Sequence, residues 1–168
     1  PIAVFHTGRT AWPGRNLECG KFKDVAQYLQ GIGWTIIEVG GKDTELMGIK
    51  STTVCDNSIR ISAAAISMCQ MFVGIDSFPW NVAQTCKIPS VVVFGCIDPN
   101  TRVLDYDIVK PVRAEGMACL GCHHVFKGPI AQSKCVRAIP SMIAPCMKEI
   151  RSTQIIDAVK AYTNSPDS

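Results

Sequence analysis

The stretch VGIDSFPWNVAQ, residues 73–84, places an acid and a hydroxyl where an apolar strand leads into a helix. Asp76 and Ser77 follow the apolar residues 71–75, and Pro79 suits a first helical turn because its missing N–H would have no partner there. The first N–H groups of such a helix are unsatisfied and carry partial positive charge. The arrangement favours an anion, most simply a phosphate, although Asp-Ser before a helix is also an ordinary cap.

Other predicted strand ends are polar or rich in glycine, namely residues 6–9, Gly40–Gly41 and Gly95. Because ligands of an open parallel sheet bind beyond the carboxyl ends of its strands, we expect these segments to converge with Asp76. Arg9 would add positive charge to a phosphate held there. The sequence contains neither a Gly-x-Gly-x-x-Gly fingerprint nor a P-loop, so those two nucleotide-binding motifs do not support the site.

The nine cysteines form a second candidate for chemistry. Five stand singly, several within apolar runs, where cysteine usually acts as a small hydrophobic residue: Cys19, Cys55, Cys69, Cys86 and Cys96. The odd total and the lack of a secretion signal indicate a reducing compartment, so we expect a cytoplasmic protein without a disulfide framework.

The late cysteines are Cys119, Cys122, Cys135 and Cys146. A Cys-x-x-Cys pair is a good half-site for zinc, and His123 and His124 lie beside it. The second half-site is poor because the last two cysteines lie much farther apart than the usual spacing of two to four residues. Two interpretations stay open: a structural zinc ion, held by four cysteines or by three and a histidine, or a loop packed by reduced thiols.

The composition limits the class of protein. The chain has 168 residues, of which 47% are hydrophobic, so it can bury a substantial core as one domain. A net charge of +3 is too mild to indicate a nucleic-acid partner, and no apolar run is long enough for a transmembrane helix.

The elements that would position these residues alternate between short apolar strands and helices. Strands are predicted at 2–5, 34–39, 52–55, 71–75 and 90–94, with a weaker one near 106–112. Helices are predicted over four segments: one with Phe22, Val25, Ala26 and Leu29 on a single face, one at 58–69 capped by Asn57, one at 79–86, and one beginning near Ser152.

The predicted strands are continuous apolar runs, which is typical of a parallel sheet covered on both faces. The sequence therefore predicts a doubly wound α/β fold. The segment 58–69 is apolar almost all round and is expected to be buried. The predicted organisation is a single domain with a Rossmann-like core at 1–115, a cysteine-rich loop region at 116–150, and a final helix with a polar tail at 151–168.

The segment FVGIDSFPWNVAQTCKIPSVVVFGCIDP, residues 72–99, resembles the signature of the glycosyltransferase family 9 proteins, the heptosyltransferases of lipopolysaccharide assembly. HTGRTAWPGR is similar to the family's His-x-Gly loop before a Trp-Pro pair, and IIEVGGKDTE to its strand, glycine pair and acid. CLGCHH and the later cysteines resemble the family's cysteine-containing tail. The resemblance extends in order over almost the whole chain.

The resemblance implies a GT-B architecture, in which two Rossmann-like domains face each other across a cleft. This chain would be the C-terminal half, which binds an ADP-, UDP- or GDP-sugar without a metal. An N-terminal acceptor domain or a partner chain would supply the catalytic base. With the strand ends described above, it gives a set of donor-binding residues: Thr7, Gly8, Arg9, Gly40, Gly41, Glu45, Asp76, Ser77, Phe78, Asn81 and Gly95.

Two residues depart from the family pattern. Phe78 stands where the family has glycine, which allows close backbone approach to a ligand, and Asn81 replaces a histidine and cannot carry charge. Two functions follow from the sequence. One is a donor-binding glycosyltransferase half that is inactive alone, and the other is a non-catalytic binding or assembly module with a degraded donor site.

Overall fold

The computed structural model describes residues 1–8, 13–124, 135 and 143–164. Within them lies a six-stranded sheet in the order β3-β2-β1-β4-β5-β6, and every neighbouring pair is parallel. The strands are β1 (Ile2–His6), β2 (Thr35–Gly40), β3 (Thr52–Cys55), β4 (Met71–Ile75), β5 (Ser90–Val93) and β6 (Val109–Val112). The prediction of a parallel α/β sheet is confirmed.

Helices cover both faces of this sheet. They are α1 (Cys19–Gly31), α2 (Ile59–Ser67), α3 (Phe78–Thr85), α4 (Pro145–Lys148) and α5 (Ser152–Thr163). One core cluster joins α1, α4 and α5 to one face of the sheet, and a second joins α2 and α3 to the other face. Short 3-10 helices lie at Pro13–Arg15, Pro99–Thr101 and Cys122–His124.

Strands β1, β4 and β5 are apolar over most of their length because their alternate residues enter different cores. Ala3 and Phe5 belong to the cluster under α1, whereas Val4 between them belongs to the cluster under α2 and α3. Side chains of a strand point alternately to the two faces, so both faces must be apolar when both are covered. This packing explains the sequence pattern from which the fold was predicted.

Helix α1 confirms the predicted apolar face. Phe22, Val25, Ala26 and Leu29 are all fully buried, as their spacing on one side of a helix requires. Burying this face is what holds α1 on the sheet, since a helix of its length is only marginally stable by itself in water. In α5, Ile155 and Val159 are buried in the same way.

Helix α2 does not fit its prediction. We expected it to be buried almost all round, but Ile66 is its one buried residue, while Ile59 and Met68 are 68% and 70% exposed. The reason is position: α2 packs against β3 and α3, and its remaining surface has no covering layer within the described part of the chain. Its cap is Ser58 rather than Asn57, since the Ser58 hydroxyl accepts the Ile61 N–H at 3.4 Å.

The last third of the chain is described in part. The predicted strand at 106–112 shortens to β6, and Tyr106 lies exposed before it. Of the predicted cysteine-rich loop region, residues 125–134 and 136–142 lie outside the described residues, as does the tail at 165–168. Among the described helices, none has both the length and the apolar character needed to span a membrane.

Candidate functional site

The strand order reverses between β1 and β4, because β2 lies on one side of β1 and β4 on the other. In open parallel sheets a crevice opens at this point, beyond the carboxyl ends of the two strands. The residues that leave β1 there are Thr7 and Gly8, and those that leave β4 are Asp76 and Ser77. The fold therefore brings together four of the residues predicted from the sequence.

Asp76 and Ser77 are buried polar groups at this crevice, with 4% and 6% of their surface exposed. Among the described residues, the Ser77 hydroxyl and one carboxylate oxygen of Asp76, Oδ2, have no hydrogen-bond partner. Ser77 is also the N-cap residue of α3, and its side chain makes no capping hydrogen bond. Because buried polar groups are nearly always hydrogen-bonded, a partner outside the protein fits this position.

Arg15 supplies positive charge at the same strand end. Its Nε donates to the main-chain oxygen of Asp76 at 3.0 Å, and its Nη2 donates to the same oxygen. Nε also lies 3.6 Å from Oδ2 of the Asp76 carboxylate. The charge predicted from the sequence is that of Arg9, which lies outside the described residues, and Arg15 in the same loop was not predicted.

His6 ends β1 beside the crevice and is 8% exposed. Its Nδ1 donates to the main-chain oxygen of Val39 at 2.9 Å, which leaves Nε2 as the acceptor nitrogen. Burial lowers the pKa of His6, and the charge of Arg15 lowers it further. Gly8 has a φ of +51°, and a Cβ there would lie 2.8 Å from His6 Nε2, so the turn requires glycine.

A cavity of about 210 Å³ adjoins the crevice, between the ends of β1 and β2 and the first turns of α2 and α3. Its walls are mostly apolar with a few polar groups, as is usual for small-molecule sites. The Phe78 side chain, which is 50% exposed, forms part of the wall. The lining residues are His6, Gly40, Gly41, Asn57, Ile59, Ser62, Phe78 and Pro79.

Three predicted residues have other places in the structure. The Glu45 side chain is exposed, and its main-chain oxygen accepts the Thr7 hydroxyl at 2.6 Å. Asn81 is exposed on α3 and does not line the cavity. A Cβ on Gly95 would lie 2.5 Å from the main-chain oxygen of Gly14, so this glycine permits close packing of two loops.

Comparison with known proteins finds the same fold in solved structures. No protein-family model and no curated protein sequence matches the chain, but solved structures do. The heptosyltransferase TibC, described as iron-containing and bound to ADP-D-β-D-heptose, has a TM-score of 0.77 at 15% identity. That match covers 98% of this chain and 46% of TibC.

Two further structures match in the same way. ADP-heptose LPS heptosyltransferase II of E. coli has a TM-score of 0.72 at 14% identity, covering 100% of this chain and 48% of its own. The family 9 glycosyl transferase of Veillonella parvula has a TM-score of 0.69 at 17% identity, covering 95% and 45%. The chain has the fold of one half of a family 9 glycosyltransferase. It spans slightly less than half the length of the structures that it matches.

Five of the nine cysteines lie near one another beyond the end of β5: Cys96, Cys119, Cys122, Cys135 and Cys146. Burial raises the pKa of Cys146 to about 11, and the nearby thiols of Cys119, Cys135 and Cys122 raise it further. Burial raises the pKa of Cys96 to about 12, with further contributions from Cys122 and Cys146. The sequence predicts a cluster of four of these five thiols, and it places Cys96 among the single cysteines.

No disulfide joins the nine cysteines, all of which are free thiols. Within the described residues, no three or more His, Cys, Asp or Glu side chains are arranged to hold a metal ion. As they stand, the converging thiols do not offer the four tetrahedral ligands that a structural zinc ion requires. The zinc site at Cys119, Cys122, Cys135 and Cys146 remains a prediction.

Proposed function

We propose that this chain is the donor-binding half of a heptosyltransferase-like enzyme and that it binds a nucleotide-diphosphate sugar. The observation that carries the proposal is the buried hydroxyl of Ser77 at the switch point, which has no hydrogen-bond partner, with the guanidinium of Arg15 held beside it by Asp76. The likeness to heptosyltransferases, one of them bound to ADP-heptose, supports the choice of ligand.

In this proposal the diphosphate lies at the first turn of α3. The Ser77 hydroxyl and the unsatisfied N–H groups of the helix donate to its oxygens. Arg15 adds charge, and Asp76 holds the guanidinium in place through its main-chain oxygen. Because these donors and the Arg15 guanidinium stabilise the negative charge of the diphosphate, donor binding requires no metal or other cofactor. The planar base of the nucleotide occupies the apolar cavity beside Phe78.

Transfer would be a displacement at the anomeric carbon of the sugar. The oxygen of an acceptor hydroxyl forms a bond to that carbon while the bond from the carbon to the diphosphate oxygen breaks. The acceptor's proton passes to a base, and the diphosphate leaves with its charge stabilised at α3. We assign the base to an N-terminal acceptor domain or a partner chain, so this chain alone binds the donor without transferring the sugar.

Nine free thiols fit a reducing compartment, and we place the function in the cytoplasm.

Calorimetric titration with ADP-heptose, UDP-glucose and GDP-mannose tests the proposal. We expect one of these donors to bind, and Ser77→Ala to weaken its binding about tenfold because a hydrogen bond to a charged oxygen is lost. Arg15→Gln should weaken binding at least as much, since a charge-assisted contact is removed.

Thr85→Ala is the matched control, because it removes a hydroxyl from the other end of α3 that bonds only the main-chain oxygen of Asn81. Its affinity for the donor should equal that of the unmodified chain. Equal affinities of Ser77→Ala and the unmodified chain would show that the site has been wrongly placed.

The alternative function is a non-catalytic binding or assembly module. The exposed apolar residues Ile59 and Ile61 of α2, with Met68 directly after the helix, favour it, because such a surface suits a protein partner. The same titrations distinguish the two functions. Lack of binding to all three donors at millimolar concentration would favour the module.

A further inference from the structure

The connection between β2 and β3, residues 41–51, crosses between two parallel strands without a helix. Parallel neighbours are usually joined by a helix, which pairs its own backbone groups. A loop that replaces the helix needs partners elsewhere for its backbone N–H and C=O groups. The side chains that supply them therefore decide where the loop lies.

Glu38 is the central partner. It lies within β2, is 3% exposed, and uses both carboxylate oxygens to hold the loop. Its Oε2 accepts the main-chain N–H of Met47 at 2.8 Å, and its Oε1 accepts the Ser51 hydroxyl at 2.5 Å. A buried carboxylate is costly unless it is hydrogen-bonded, so the middle and the end of the loop are tied to β2.

The same loop reaches the candidate site from two directions. Its first residue, Gly41, and the last residue of β2, Gly40, form part of the cavity wall. Between them and Met47, the main-chain oxygen of Glu45 accepts the hydroxyl of Thr7, which leaves β1 at the switch point and is 3% exposed. A shift of the loop would therefore move the cavity wall and release the Thr7 hydroxyl.

We propose that Glu38 is a positioning residue for the donor site. It touches no ligand; it fixes the loop so that the cavity keeps its shape and Thr7 keeps its orientation. The inference deepens the proposed function and rests on it for the identity of the ligand. The tether itself is a property of the ligand-free chain and can be measured without any ligand.

Hydrogen exchange of the ligand-free chain measures the tether. In Glu38→Ala we expect the Met47 amide to exchange about tenfold faster, because its buried acceptor is gone. Glu38→Gln should restore most of the protection, since its amide oxygen can accept the Met47 N–H while its NH₂ donates to Ser51. Ile36→Val, a buried change in the same strand, is the control for general destabilisation.

If Glu38→Ala fails to fold, Ser51→Ala takes its place, because it removes the hydrogen bond to one carboxylate oxygen and leaves the charge. We then expect faster exchange across residues 47–51 by a few-fold. Exchange that changes no more than in Ile36→Val would overturn the tether.

Titration with ADP measures the effect on the site. We expect about tenfold weaker binding in Glu38→Ala, or a smaller loss in Ser51→Ala, and recovery in Glu38→Gln. A loosened loop with unchanged ADP affinity would overturn the positioning role and leave the proposed function standing. No ADP binding by the unmodified chain, with faster exchange in Glu38→Ala, would count against the proposed function and the positioning role while the tether stands.

Discussion

In the proposed donor site, the buried acid Asp76 would lie beside the bound anion. Its carboxylate lies 3.6 Å from Arg15 Nε, and its main-chain oxygen accepts two hydrogen bonds from the same guanidinium. Arg15 offsets the negative charge of Asp76, so in the proposed site the carboxylate does not repel a phosphate bound by the first turn of α3, Ser77 and the guanidinium. We infer that Asp76 acts on a ligand through Arg15.

The single residue His6 makes the stability of the fold depend on pH. Burial holds its pKa below 6.5 in the folded chain. As the pH falls through 6.5, the unfolded chain therefore binds a proton that folded His6 does not, and the free energy of unfolding decreases. Urea unfolding at pH 7.5 and 5.5 should show a larger loss for the unmodified chain than for His6→Asn. Equal losses would mean that His6 titrates alike in both states.

Phe78 is the residue whose removal should improve the site. Its ring stands half exposed in the cavity wall, where the resembling family has glycine. We expect Phe78→Gly to strengthen donor binding several-fold, because the main chain can then approach the ligand. Stability should change by less than about 1 kcal/mol, since the ring is half exposed. Weaker binding in calorimetry would instead mean that the ring stacks on the donor.

Among the helices, α2 shows that an apolar composition does not ensure burial. The segment is almost entirely apolar, yet Ile66 is its one buried residue because only one side of the helix meets β3 and α3. A pattern that is apolar all round cannot show which side faces the core, because the amphipathic contrast is missing. Packing against α3 and β3 determines which side of α2 is buried.

Paired substitutions on α2 test this assignment. Ile66→Ala should lower the free energy of unfolding by about 2–5 kcal/mol, as expected for a fully buried isoleucine. Met68→Lys should change it by less than about 0.5 kcal/mol, because that side chain is exposed. Urea unfolding followed by tryptophan fluorescence, to which buried Trp80 contributes, gives both values. A strong loss in Met68→Lys would mean that a partner, such as a second copy, covers α2 in solution.

In the molecule as a whole, the sheet divides the interior into two cores, and β1, β2, β4, β5 and β6 contribute buried residues to both. Val73 and Val91 enter one core, and Phe72 and Val92 enter the other. Loss of the sheet would expose both cores together, so the described part of the chain should unfold as one cooperative unit. The candidate site lies at the carboxyl edge of this unit, beyond the ends of β1 and β4.

The predicted zinc ion would join distant parts of the chain, so its effect would extend over the whole molecule. It predicts about one zinc ion per purified chain, lost in Cys122→Ser, and a lower melting temperature after chelation. Cys86→Ser is the control, since that thiol is exposed at the end of α3. Metal analysis that finds no zinc, with all nine thiols titratable, would contradict the hypothesis.

The strands and the buried face of α1 could be predicted from the sequence because each pattern reflects one element and its nearest layer. The position of Asp76 and Ser77 at a strand end followed for the same reason, and chain order then placed them with Thr7 and Gly8. Arg15 could not be found this way. It lies 61 residues from Asp76 along the chain, and nothing local to either residue indicates the contact.

The residue order alone is enough to predict the parallel sheet, its two covered faces, and the polar strand ends that meet at one edge. Four features are visible only in the folded chain: Arg15 lies at Asp76, Cys96 lies near the later thiols, Glu38 holds the loop after β2, and α2 stays largely exposed. Periodicity arises within single elements and is visible in the residue order. Contacts between distant residues depend on strand order and on which elements pack together, which no local pattern contains.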